Sequence, residues 1–174
     1  MSTSLDLSKL NLMDALDLAI LIEEEARQRY ELFASLIGRT ATGYNAGAFF
    51  ASMAENEAKH GTELLERRMA RFGKVTMKVK MVDIYDIEAP DSGAPRKGMS
   101  TVQAFELGLQ SEKKAHDFFN SALPGISDPE VKELFAELRD EELEHIDMLK
   151  EAMAKLPESA SVETENDPDD APYL

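Results

Sequence analysis

Along most of this chain apolar residues return in alternating steps of three and four, the period of one buried helix face. One seam runs Val131, Phe135, Leu138, Glu142, His145, Leu149, Ala152 and Leu156. A second runs Phe50, Met53, Glu57, His60 and Leu64, and a third Leu16, Ala19, Glu23, Ala26, Tyr30, Phe33 and Ile37. The fourth is Phe105, Gly108, Glu112, Ala115, Phe119 and Ala122. Together they predict helices at about 11–37, 45–72, 100–122 and 128–156. Boundary residues agree. Asn11 is placed to cap the first helix, and Gly38 and Gly73 to end the first and second. Ser100-Thr-Val-Gln103 has the pattern of a capping box, and Asp128-Pro129 offers a cap followed by a proline.

Residues 73–99 differ in kind. Val75, Met77, Val79 and Met81 alternate with Lys78 and Lys80, a strand-like period that predicts one extended segment lying against the bundle. Pro90, Asp91-Ser-Gly93 and Pro95 then break regular structure. The fold class expected is all-α, a four-helix bundle with one long crossover between its second and third helices, occupying residues 1–156. From Glu158 onward there are six acids and no base, so 157–174 reads as an acidic, disordered tail.

The seams repeat one another. Phe50, Glu57 and His60 return 85 positions later as Phe135, Glu142 and His145. Shifted by 89, Leu16, Ala19, Glu23, Ala26, Tyr30 and Phe33 fall on Phe105, Gly108, Glu112, Ala115, Phe119 and Ala122. The chain is a duplicated helical hairpin, with a Glu on one helix and Glu-x-x-His on the next. Each seam is apolar except at these positions. Charges in a core cost several kcal/mol unless they are paired or bound to metal.

Four carboxylates and two imidazoles converging on a bundle centre form the ligand set of di-iron or di-manganese carboxylate sites. Carboxylates are hard anions that can bridge two cations, and imidazole adds a neutral ligand while leaving positions open. A lone Glu-x-x-His is common by accident, whereas two in register with two matched glutamates are specific. The plain alternative, exposed glutamates from a misjudged helix phase, needs four errors at equivalent heights. His116 has Lys113 rather than Glu three residues before it and reads as structural or exposed. Tyr30, seven residues after Glu23, is either core packing or a hydrogen-bonding or redox-active neighbour of the site. Glu55, Asp140, Glu141 and Glu144 read as solvated.

Composition narrows the classes. The 174 residues suffice for one domain with a real core. A net charge of −15 argues against nucleic acid or an anionic membrane as partner. The absence of cysteine excludes disulfides, thiolate catalysis and Cys-ligated metal within this chain. With no basic-then-apolar leader and no apolar run of membrane-spanning length, a cytoplasmic location is expected.

Glu23 with Tyr30, Glu57-x-x-His60, Glu112 and Glu142-x-x-His145 resemble the rubrerythrin and bacterioferritin branch of the ferritin-like superfamily over roughly residues 11–156. The resemblance implies a ferritin-like bundle with two iron ions, zinc or manganese being possible substitutes. Glu57 and Glu142 would bridge, Glu23 and Glu112 would be terminal, and His60 and His145 would hold one iron each. Rubrerythrins also carry a four-cysteine rubredoxin-like domain, which a chain without cysteine cannot supply. They place a further glutamate one turn from the third-helix ligand, where this chain has Leu109 and Ala115, so the implied site is more symmetric. Bacterioferritins bind haem through a methionine directly after the second-helix glutamate. Ala58 stands there, and no haem is expected. The implied activity is reduction of hydrogen peroxide with a separate electron-donor protein, in a homo-oligomer such as a dimer. The rivals are oxidation of Fe(II) by dioxygen for iron handling, and a metal-stapled structural bundle.

Overall fold

The computed structural model describes residues 6–37, 45–80, 87 and 95–163. Within them lie α1 (Leu12–Leu36), α2 (Ala46–Phe72), α3 (Thr101–Ala122) and α4 (Pro129–Met153). Short polar side chains start each helix. The Asp14 and Ala48 amides donate to the side-chain oxygens of Asn11 and Asn45, each at 3.0 Å. At α3 the Gln103 amide donates to Ser100 Oγ at 3.1 Å, and the Ser100 amide donates to Gln103 Oε1 at 3.0 Å. Asp128 accepts from the Glu130 amide at 2.9 Å, with Pro129 at the first helical position. α2 ends at Gly73, whose φ of 66° costs glycine little. Gly38 and the turn after it lie outside the described residues.

The order of hydrophobic contacts gives the topology. One core cluster contains Leu16, Leu18 and Ile22 of α1, Leu64 of α2, Phe119 and Ala122 of α3, and Val131, Phe135 and Leu138 of α4. The other contains Tyr30 and Phe33, Phe50 and Met53, Phe105, and Leu149 and Ala152. α1 and α4 therefore run from the first cluster to the second, and α2 and α3 run the opposite way. Since α2 and α3 are parallel, the connection between them must travel the length of the bundle. At 1.5 Å per residue that is roughly 40 Å, which explains the long crossover. α1 packs chiefly on α2 and α3 on α4, with further contact between α1 and α4.

A buried ion pair anchors the start of the crossover. Arg68 and Asp17 are 3% and 0% exposed, and the Arg68 guanidinium bonds the Asp17 carboxylate and donates to the Val75 carbonyl at 2.9 Å. Beyond it Val79 is buried against the bundle, while Val75 stays exposed. Residues 75–80 form no strand, so the alternation reports an extended path without a pairing partner. Met81, Pro90 and Asp91-Ser-Gly93 lie outside the described residues.

Two differences from the sequence pattern concern the C-terminal region. α4 closes at Met153, because Leu156 precedes Pro157 and is steered away from helical backbone. The stretch after it was expected to be disordered, yet Glu158–Ser161 forms a 3-10 turn that packs on α3 with Ala160 buried. Arg96 meets Glu163 at 2.6 Å just beyond. One small apolar side chain suffices to dock a turn that acidic composition alone would leave in solvent. Residues 164–174 are outside the described set. No helix among the described residues is long and apolar enough to cross a membrane.

Candidate metal centre

Between the two hydrophobic clusters the bundle has a polar layer one helical turn deep. It contains Glu23 from α1, Glu57 and His60 from α2, Glu112 from α3, and Glu142 and His145 from α4, the six positions singled out by the repeat. Glu23, Glu57, Glu112, Glu142 and His145 are all buried, each at most 4% exposed. His60 is less covered, its side chain 20% exposed. The two imidazoles stack nearly parallel, with ring centroids 5.4 Å apart and planes 12° off.

The carboxylates gather round these rings. His145 Nδ1 lies 3.3 Å from Glu57, 3.5 Å from Glu112 and 3.8 Å from Glu142. His60 Nδ1 lies 3.9 Å from Glu23. Neither Nδ1 has a hydrogen-bond partner among the described residues, although both atoms are buried. A buried polar atom left in this way costs on the order of 1–3 kcal/mol. Three groups bring their ligand atoms within 4.8 Å of one another: Glu112 with Glu142 and His145, Glu57 with both histidines, and Glu23 with His60 and Glu141. Glutamate and histidine alone, hard oxygen and neutral nitrogen, suit iron, manganese or zinc.

Electrostatics divide the layer. Burial is the main cause that raises the Glu23 carboxyl to about 7. Burial also works to raise Glu112, but the adjacent His145 and the Tyr30 hydroxyl outweigh it and hold Glu112 at about 2. Burial lowers His60, and the neighbouring His145 adds to that. Burial pulls His145 down as well, yet Glu112 prevails and raises it.

Aromatic side chains flank the layer at both ends. On one side Phe50 stacks on Tyr30 and Phe33, at 6.1 Å and 4.8 Å, and packs on Phe105 at 4.7 Å. On the other, Phe119 meets Phe135 edge-on at 5.3 Å. A cleft of about 340 Å³ between α1 and α2, walled by Ile20, Leu21 and Leu65, reaches Glu57.

The rubrerythrin family matches residues 14–153. The chain belongs to that family. The matched stretch spans all six residues of the layer. A crystal structure of an uncharacterized conserved protein from Magnetospirillum magnetotacticum MS-1 superposes with a TM-score of 0.67. It is 27% identical in sequence, and the match covers 85% of this chain and 97% of that one. No curated protein matches the sequence.

In this rubrerythrin-family chain one residue departs from the pattern in the sequence. Glu141, which reads as solvated, is half-buried and shares a group with Glu23 and His60. It follows that the centre is less symmetric than the matched repeats imply, since Glu141 has no glutamate counterpart in the first hairpin. Tyr30 is a hydrogen-bonding neighbour of the site, its hydroxyl donating to Glu112 on α3. His116 stays apart, 3.1 Å from Asp117 on its own helix.

Proposed function

We propose that this chain is a non-haem di-iron oxidoreductase that reduces hydrogen peroxide to water, re-reduced by a separate electron-donor protein. The observation that supports it most is the pair of stacked imidazoles, 5.4 Å apart, set among four buried carboxylates. Divalent cations would relieve that arrangement at both rings together. Glu57 groups with both histidines and suits a bridging role, with Glu142 as the bridge on the other side. Glu23 and Glu112 are the terminal carboxylates, and His60 and His145 take one ion each.

A bound pair of ferrous ions supplies one electron each, enough to convert one hydrogen peroxide and two protons into two waters. The protein does the rest. The four helices hold the donors in place, the Phe50 and Phe119 sides exclude water, and the cleft at Glu57 admits a small oxidant. Tyr30 fixes the orientation of Glu112. With no cysteine in the sequence, the returning electrons have no rubredoxin-type route inside this chain.

Stopped-flow oxidation of anaerobically iron-loaded protein tests the reading. Peroxide should oxidise the protein at least about tenfold faster than air-saturated buffer, a difference of about 1.4 kcal/mol in barrier. If oxygen reacts as fast, and ferric iron accumulates beyond two ions per chain, the activity is iron handling instead. Protein that takes up only colourless zinc is a stapled bundle.

A further inference from the structure

The two hairpins match at every glutamate and histidine of the layer, but two neighbours break the match. Tyr30 on α1 is answered by Phe119 on α3, and Glu141 on α4 is answered by Asn56 on α2. The first gives one half of the centre a hydroxyl that the other lacks, and the second gives one half an acid where the other has an amide. The Tyr30 hydroxyl goes to Glu112, on the His145 side. The Glu141 carboxylate goes to the opposite side, where it, Glu23 and His60 bring ligand atoms within 4.8 Å of one another.

We propose that Glu141 is a further protein ligand, beyond the two bridging glutamates, of the divalent cation held by Glu23 and His60, giving the two metal positions different exchange behaviour. The inference rests on the reading of the layer as a two-metal centre. On the His145 side, Glu112, Glu142 and His145 form a complete group of three, all buried. On the His60 side only Glu23 is buried to that degree, and His60 reaches solvent. A half-buried carboxylate completes that set with a hard, anionic donor suited to a first-row divalent cation. Glu141 and His60 both feel the charges of the exposed Glu63 and Glu144, so this side of the centre borders the surface. Glu141 is half-buried, whereas the donors of the His145 position are buried in the core. The His145 position therefore fills first and empties last, and Glu141 governs the other.

Cobalt(II) titration of metal-free, full-length protein tests this, with the visible bands reporting coordination and far-UV circular dichroism reporting the fold. Wild type should bind two ions, one tighter than the other. Glu141→Gln should leave the tighter equivalent unchanged and weaken the second on the order of 10–100-fold. Glu141→Asp keeps the charge but shortens the reach, and should weaken the same equivalent. Glu63→Gln removes a nearby charge without removing a donor, and should leave both equivalents in place. Two unchanged equivalents in Glu141→Gln would overturn the assignment, and so would an equal loss in Glu63→Gln. Fewer than two cobalt ions in the wild type would instead sink the two-metal reading itself.

Discussion

The Tyr30 hydroxyl donates a hydrogen bond to the Glu112 carboxylate, joining α1 to α3 across 82 positions of sequence. Both groups are buried, and the bond helps hold Glu112 ionised against the cost of burial. The matched position in the second hairpin is Phe119, so Glu23 receives no such phenol. One oxygen atom, present on one ring and missing from its counterpart, helps set Glu112 apart from Glu23.

Tyr30→Phe removes that donor and leaves the ring's packing in place. The variant should keep both metal ions and lose about 1–3 kcal/mol of stability, the range for stranding a buried charged acceptor. Urea denaturation beside iron analysis checks it. Loss of iron would mean that Tyr30 orients the ligand more strictly than a single hydrogen bond implies.

The metal-free protein should respond to pH in an unusual direction. Glu23 has a folded-state value of about 7, above the ordinary 4.5, so its contribution is present at low pH and lost as pH rises through 7. His145 is also raised, and its contribution is likewise lost with rising pH. Glu112, depressed to about 2, contributes above the ordinary carboxylate range and is lost only in strong acid. His60, lowered, works the other way, but Glu23 is the group moved furthest in this window. Chelator-treated protein should therefore be more stable at pH 5.5 than at pH 8, on the order of 1–3 kcal/mol. Added metal should reverse the order, because its ligands must give up protons to bind. Melting curves at both pH values, with and without metal, decide it.

Single-ligand variants separate the layer from its surroundings. Glu57→Ala and Glu142→Ala should each lower metal content toward one ion or none, since each removes an expected bridge. His116→Ala should leave metal content unchanged, its ring being 3.1 Å from Asp117 and away from the layer. Metal analysis after gel filtration reads all three. A loss of metal in His116→Ala would contradict the helix phase on which Glu112 depends.

Much of this was legible in the sequence because the bundle is periodic and duplicated. Steps of three and four placed Glu23, Glu57, Glu112 and Glu142 on inward faces, and the caps at Asn11, Ser100 and Asp128 marked where helices begin. What periodicity could not give was the lateral relation between helices. Tyr30 lies above Glu23 on its own helix, and only the assembly of the whole bundle brings its hydroxyl to Glu112 across the layer. Glu141 lies one position off the seam, where helical phase alone assigns a side chain to solvent. It is drawn in because the layer is wide enough for α4 to present a second carboxylate toward α1 and α2. The mismatch of Glu141 with Asn56 was the available signal, and it needed the repeat to be read position by position. The docked turn at Glu158–Ser161 escaped for a different reason, since a single alanine carries its contact.

The polar layer also divides the hydrophobic interior, with Leu16, Phe119 and Phe135 in one half and Phe33, Phe50 and Phe105 in the other. Each half has its own packed side chains, and every helix passes through both. Without metal the halves are coupled mainly through the helix backbones, across a zone of mutually repelling carboxylates. Shared metal ligands add a second coupling, because one ion cannot be released by one half alone. Ions held there would thus set how many cooperative units the chain contains. In calorimetry the loaded protein should unfold as one unit, with equal van 't Hoff and calorimetric enthalpies, while the metal-free protein should show a van 't Hoff value below the calorimetric one.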